Sequence, residues 1–473
     1  MSLVNNKIED VYGLTPLQEG MLYHNIMSEQ KGAYIIQDVY SFDIELKDTI
    51  MKEAMNLLTR RHTVLRTSFV YENVSTVCQV VLKERETEYT VKDISEKEEG
   101  EKEEAVKKYI REDVERGFDL KKDTLLRVSR IKLGEGKSKL IVTMHHIIVD
   151  GWCSNKIYEM MIYYYNELEK GVPYEVLREE VENELNNTNQ YSDYIEWITS
   201  RNSEKTKEYW SDLLSGYDGE SEFKPIENPE KTEEKTAEIY GELDKETTER
   251  LKAVCEENNS TISTAIETAI GILLANNCGT EDAVFGKVVS GRNAPINGIE
   301  DMIGLFINTI PVRVTADKDI KVKELLKKQQ KQGIESSNYD YCSLADIQSL
   351  TANGMDLIKV IYVFENYNSG QNIEEYEEEI EVSPIRFEGG REQTNYSAVI
   401  SGYETEGKLK IKFQYNPSIY KAEEIQKLVN RILSICREIA ENPEEKVSEI
   451  EMTTEEERTL ILNEFNATEA EYP

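Results

Sequence analysis

The sequence predicts an α/β protein built as two halves of similar length. Three observations carry that expectation. Strand-like alternation and helical spacing interleave along the chain instead of separating into blocks. A stretch near 171–190, "GVPYEVLREEVENELNNTNQ", loses periodicity and gains Asn, as a junction between lobes does. At 473 residues the chain is too long for one ordinary compact domain and suits two or three.

In "LTPLQEGMLYHNIM", Thr15 is placed to cap a helix, with Pro16 in its first turn and Gln18 completing a capping box. "DTIMKEAMNLLTRRH" has the spacing of a second helix and is followed by an extended "TVLRTSFV". "STVCQVVL" alternates as a strand does. "LLRVSRIKLGEGKSKLIVTMHH" reads as two strands about the turn "GEGKS", and the second delivers two adjacent histidines. Behind them Ser154 can cap a helix whose apolar positions are Ile157, Met161, Tyr164 and Leu168. Past the junction, "TTERLKAVCEENNSTISTAIETAIGILLANN" is helical and "DAVFGKVVSGR" is a strand running into a turn. "DLIKVIYVFENY" is a buried strand, "GKLKIKFQYNPSIY" another strand, and "AEEIQKLVNRILSICREIAEN" an amphipathic helix. The expected division is 1–180 for the N-terminal lobe, 181–455 for the C-terminal lobe and 456–473 for a linker.

Composition excludes several functions. The net charge of −35 argues against nucleic acid, whose binders need a basic face. Much of that charge lies in "SEKEEGEKEEAVKKYIRED", read as a solvated helix face, and "EEYEEEIEV", read as a surface loop. No apolar run approaches the roughly 18–20 residues of a membrane span. The N-terminus "MSLVNNKIEDVYG" lacks a basic-then-apolar leader, so a cytoplasmic protein is expected. Cys78, Cys153, Cys255, Cys278, Cys342 and Cys436 are scattered without a CxxC pair and are expected as reduced thiols.

The four histidines are His24, His62, His145 and His146, and the last two stand together in "VTMHHIIVDGWCSNK". Adjacent side chains on a strand point to opposite faces, which places His145 and His146 poorly for one shared metal ion. Two readings remain. One is a pair of core histidines. The other is an imidazole at a strand's end that hydrogen-bonds an incoming amine or alcohol. Asp150–Gly151, beginning four residues after His146, favours the second. A carboxylate there can hold the turn by pairing with a cation, and glycine lets substrate approach the backbone. "VVSGR" is not the GxSxG nucleophile elbow. Without a nucleophile, direct attack of an acceptor on an activated acyl group is the economical scheme, so the residues alone point to acyl transfer.

"HHIIVDGW" closely resembles the HHxxxDG motif of nonribosomal peptide synthetase condensation domains, in the chloramphenicol-acetyltransferase-like superfamily. "LTPLQEGMLYH", "RRHTVLRTSF", "YSDYIEW", "FGKVVSGR" with "IGLFINTIPVRV", and "YDYCSLADIQ" with "VFENY" resemble further family motifs, in order, over nearly the whole chain. The resemblance implies two acetyltransferase-like lobes forming a V-shaped pseudo-dimer with a central substrate tunnel. It implies no cofactor or metal held by the domain itself; phosphopantetheine arms of partner carrier proteins enter the tunnel. An upstream carrier would present an acyl or peptidyl thioester and a downstream carrier an aminoacyl thioester, whose amine attacks.

Carried over by position, the resemblance implies that His146 is catalytic, as a general base or by positioning the amine. His145 and Asp150 would be structural, with Asp150 pairing with Arg66 of "LRTSF". Gly151 would keep the acceptor channel open, and Trp152 would serve in packing, at the tunnel or the lobe interface, sooner than in chemistry. Ser290 and Arg292 of "SGR" and Asn308 of "FINT" would shape the tunnel or hold the lobes. His24 and His62 would have local hydrogen-bonded roles. Cys153 stands where the commonest form of the motif has serine, just past the heptad.

"LTPLQEGMLYH" and "GLFINTIPVRV" resemble the subtype that takes a D-configured donor and an L-configured acceptor. Residues 1–25 resemble a docking segment for a separate upstream synthetase, and "LILNEFNATEAEYP" resembles a junction into an adenylation domain. An epimerisation domain, a stand-alone acyltransferase or an inactive carrier-docking module are the alternatives. "VFENY", the adenylation-like tail and the intact His146 and Asp150 favour condensation.

Overall fold

The computed structural model describes residues 7–27, 34–201, 203–225, 236–365, 386–391, 396–453 and 458. The chain forms two compact units. The first comprises Met1–Arg201, Ser290–Ile307 and Asn372–Thr394, and the second Asn202–Val289, Asn308–Gln371 and Asn395–Pro473.

The first unit runs β1 (Ile8–Tyr12), α1 (Pro16–Met27), β2 (Ile35–Phe42), α2 (Asp48–Arg61), β3 (Thr67–Val70), β4 (Cys78–Leu82) and β5 (Glu88–Asp93). It continues with α3 (Glu99–Arg116), β6 (Leu126–Gly134), β7 (Lys137–His145), α4 (Gly151–Glu169), α5 (Tyr174–Asn187) and α6 (Tyr191–Thr199). A small antiparallel sheet has the order β1-β4-β3. The main sheet has the order Arg386–Arg391, β2, β7, β6, β5, with only the β5–β6 pair parallel.

Strand β7 is central and buried on both faces, and its period of two sorts its residues. Leu140, Val142 and Met144 enter the main core with α2 and α4. Ile141, Thr143 and His145 take the face covered by α3. Ile141 joins Val106 of α3 in a small cluster, and Thr143 Oγ1 donates to Asp113 Oδ2 at 2.6 Å. Asp113 in turn pairs with buried Arg127 at 2.8 Å. The hairpin into β7 turns through Gly134, Glu135 and Gly136, all with positive φ, as "GEGKS" predicts.

Several local expectations need correction. The stretch at 171–190 is not a junction: it holds α5, whose Leu177 and Val181 are buried four residues apart in packing against α2. The boundary expected at 180/181 falls inside that helix, and the first unit runs on to Arg201. Helix α4 starts at Gly151 with Asp150 as its N-cap, so Ser154 lies within it. "TVLRTSFV" begins as a 3-10 turn, Thr63–Arg66, before β3. The charge-rich "SEKEEGEKEEAVKKYIRED" is largely α3, exposed except for a stripe through Val106, Asp113 and Val114. "EEYEEEIEV", residues 1–6 of the docking segment and most of 456–473 lie outside the described residues.

The second unit is a six-stranded mixed sheet in the order Asn308–Thr315, Asp282–Val289, Val360–Phe364, Ala398–Thr405, Lys408–Tyr415, Ala237–Glu242. Its core includes the helices Ile262–Cys278 and Ala422–Glu441. Among the described residues, no helix is long and apolar enough to cross a membrane, and no cluster of His, Cys, Asp or Glu could hold a metal ion.

Candidate active site

The histidine pair stands where β7 ends. His145 is its last residue and is fully buried, with its ring 6.4 Å from that of Tyr34 and edge-to-face with Phe118 at 6.2 Å. Its Nδ1 accepts the backbone N–H of Ile147 at 3.1 Å, which leaves the proton of the neutral ring on Nε2. Burial, with His146 beside it, pushes the His145 pKa down to about 3, so the imidazole is uncharged at neutral pH. His146 opens a 3-10 turn ending at Ile148. Its backbone N–H donates to Tyr34 O at 2.8 Å, and its carbonyl accepts from Val149 at 3.3 Å.

The turn is braced from α1. Thr15 and Gln18 form the expected capping box, with Gln18 N–H to Thr15 Oγ1 at 3.1 Å and Thr15 N–H to Gln18 Oε1 at 2.9 Å. Gln18, fully buried, also donates from Nε2 to Ile147 O at 2.8 Å and to Gln79 Oε1 at 3.2 Å. The "TPLQ" and "HHIIVDG" motifs are therefore joined by a side chain, which their sequence separation hides.

Asp150 does not pair with Arg66. As the N-cap of α4 it has the position of a capping aspartate, yet its carboxylate makes no cap bond. It accepts from Arg292 Nη2 at 3.2 and 3.4 Å, from the backbone N–H of Phe306 at 3.0 Å and from Cys153 Sγ at 3.2 Å. Both partners of the ion pair are buried. Burial opposes the Arg292 charge, but the Asp150 carboxylate, with Cys153 and Glu300 adding to it, raises the arginine above its ordinary pKa. The same guanidinium donates to Ile299 O at 2.8 Å and Met302 O at 2.9 Å and lies 4.2 Å from the Phe306 ring centre.

Tyr191 and Tyr194, on one face of α6, complete the clamp on that loop. Their hydroxyls donate to Leu305 O at 2.6 Å and Phe306 O at 3.3 Å. Gly291 is required here, since its φ is +65° and a Cβ would stand 1.9 Å from Phe306 O. The Cys153 thiol is within 3.3 Å of Gly304 O; burial, then the Asp150 charge, pushes its pKa up to about 12, far from a reactive thiolate.

Arg66, also buried, pairs with Glu9 at 2.8 and 3.2 Å and donates to Leu82 O, tying the 3-10 turn to β1 and β4. It lies on the turn leading to β3, and its cation is already matched there. Of the remaining residues singled out by sequence, Gly151 opens α4 and is half-buried. Trp152 is half-buried and donates from Nε1 to Glu300 O at 3.3 Å. Ser290 is exposed, with Oγ accepting the Arg292 N–H at 3.4 Å. Asn308 belongs to the second unit, buried, and donates to Asp340 O and Cys342 O at 2.7 and 2.6 Å. His24 is exposed, its ring 6.5 Å from that of Tyr34, and His62 Nε2 is 3.2 Å from Met160 Sδ.

The structure thus gathers Asp150, Cys153 and Arg292 just beyond the histidine turn and leaves Arg66 out of that group. Tyr34, Tyr191, Tyr194 and Phe306 were missed by residue-level reading. The spacing of three between the tyrosines of "YSDYIEW" is the one signal that puts two of them on a single helix face.

Comparison with known proteins adds independent findings. The family model for the condensation domain matches residues 8–462. Bacitracin synthase 3 of Bacillus licheniformis is 34% identical over 470 residues, covering 99% of this chain and 7% of that protein. Tyrocidine synthase 3 of Brevibacillus parabrevis is 34% identical over 468 residues, covering 98% of this chain and 7% of its own length. The chain therefore spans 7% of the length of either relative. A four-domain nonribosomal peptide synthetase bound to AMP and glycine matches 95% of this chain and 34% of its own at TM-score 0.74 and 14% identity. The first condensation domain of the CDA synthetase matches 94% of this chain and all of its own (100%) at TM-score 0.67 and 16% identity. These two structures share the fold. The chain belongs to the condensation-domain family of nonribosomal peptide synthetases, acyltransferases that form peptide bonds between carrier-bound substrates.

Proposed function

We propose that this chain transfers an acyl or peptidyl group from an upstream carrier, through a D-configured donor residue, to the amine of an L-aminoacyl thioester on a downstream carrier. The amine nitrogen bonds to the thioester carbonyl carbon, the carbon–sulfur bond breaks, and the amine proton ends on the departing thiol. Both thioesters hang on phosphopantetheine arms that belong to the carriers and enter the tunnel expected between the lobes.

The observation that carries this reading is the fixed setting of His146. A strand end, a 3-10 turn, the Tyr34 carbonyl and the Gln18 brace hold its backbone, and the neighbouring Cys153 is an inert thiol. An imidazole so held is suited to accept or orient the acceptor's N–H in the transition state. The D-donor assignment is supported by "TPLQEGMLYH" and "GLFINTIPVRV". Carrier and adenylation partners are supported by the relatives' far greater length.

The test is a reconstituted condensation. One carrier is loaded with a D- or L-aminoacyl donor, the other with an L-amino acid, and carrier-bound dipeptide is followed by mass spectrometry with the wild-type chain or His146→Ala. Dipeptide from the D donor, reduced on the order of a hundredfold or more in the variant, is expected. Product from the L donor alone would overturn the subtype; scrambling at the donor's alpha carbon would indicate an epimerase.

A further inference from the structure

Tyr34 is one of the non-glycine residues with positive φ, at +59°. For a bulky L-residue that is an unfavourable conformation, and such outliers persist only where their surroundings over-determine them. Here contacts of its ring and of its carbonyl do so. The Tyr34 ring packs 6.4 Å from the His145 ring and 6.5 Å from the His24 ring of α1. Its carbonyl accepts the His146 N–H at 2.8 Å, one residue beyond the last β2–β7 pair, Ile35 with His145. The dihedral angles of Tyr34 set where that carbonyl points, and the carbonyl sets the height at which the histidine turn leaves the sheet.

We propose that Tyr34 is a positioning residue for His146, acting through its left-handed backbone. The carbonyl transmits that conformation to the histidine turn, and the ring packs beside it without being needed for it. This deepens the proposed function and rests on the reading of His146 given there.

Backbone and ring are separable by substitution. Glycine and asparagine adopt a left-handed φ readily but lack the ring, whereas valine resists it. Steady-state condensation rates would be measured for Tyr34→Gly, Tyr34→Asn, Tyr34→Val and His146→Ala with both loaded carriers varied. If the backbone positions His146, Tyr34→Gly and Tyr34→Asn keep kcat within about threefold, while Tyr34→Val loses about tenfold or more in kcat with KM for both carriers little changed. Imidazole nitrogen NMR shifts of His146 would move in Tyr34→Val and not in Tyr34→Gly. Thermal unfolding, run in parallel, confines the comparison to folded protein; if Tyr34→Val does not fold, the glycine and asparagine variants carry the test. Two results overturn the proposal: full kcat in folded Tyr34→Val, or glycine and asparagine variants that lose about tenfold or more. Retained activity in His146→Ala would sink the reading of His146 itself, and is told apart from failure at Tyr34 by that variant alone.

Discussion

Asp150 occupies a capping position but gives its carboxylate to Arg292, Phe306 N–H and Cys153, so the start of α4 depends on groups far along the chain. Asp150→Asn leaves the Arg292 guanidinium buried without its counter-ion, and a loss of about 3–5 kcal/mol is expected in urea unfolding. His145 gives a separate handle. Its folded pKa is depressed to about 3 from 6.5, so as pH falls through 6.5 the unfolded chain binds a proton that the folded chain refuses. Stability should therefore decline from pH 6.5 toward pH 3, by up to about 1.4 kcal/mol per pH unit from this group. His145→Gln should flatten the pH dependence by about one proton, whatever its effect on stability at pH 7. Unfolding curves between pH 7 and 5 on both proteins measure the difference.

Helix α1 shows how far element-scale reasoning reaches. The capping box at Thr15 and Gln18 was legible because it is local: two residues three positions apart carry the whole signal. The second role of Gln18, holding Ile147 O, was not, because it joins positions 129 residues apart. The two roles predict unequal costs. Thr15→Ala should remove about 1 kcal/mol. Gln18→Ala should remove about 2–3 kcal/mol, because Ile147 O and Gln79 then lose a buried partner. Paired thermal melts of the two variants rank them. Elsewhere, the β6–β7 hairpin was readable from its glycines and the α3 face from its charge. Helix α5 was not, since Glu and Asn on its exposed face drown the four-residue spacing of Leu177 and Val181. Arg66 was misassigned for the same reason that Gln18 was half read: a sequence names cations and carboxylates near a motif, while the Asp150 partner comes from 142 residues away.

At the scale of the molecule, the first unit is not continuous in sequence. The chain leaves it at Arg201 and returns as Ser290–Ile307, bringing Ala294, Ile299, Met302, Ile303, Leu305 and Phe306 into its core. A fragment of residues 1–201 should therefore expose the lining of that core and lack the Arg292 cation. It is expected to show poor amide dispersion by NMR and a broad, weakly cooperative melt, where the full chain melts sharply. A sharp, cooperative melt of the fragment would mean that the returning segment is dispensable for the first unit.

That return also sets a schedule. At synthesis rates of about 5–20 residues per second, the 142 residues between Asp150 and Arg292 take on the order of ten seconds to appear. For that interval a nascent chain carries the whole of "HHIIVDG" with its aspartate unmatched and the seat of the Phe306 loop open. The N-terminal half is thus expected to keep part of its core lining exposed until roughly two-thirds of the chain has been made.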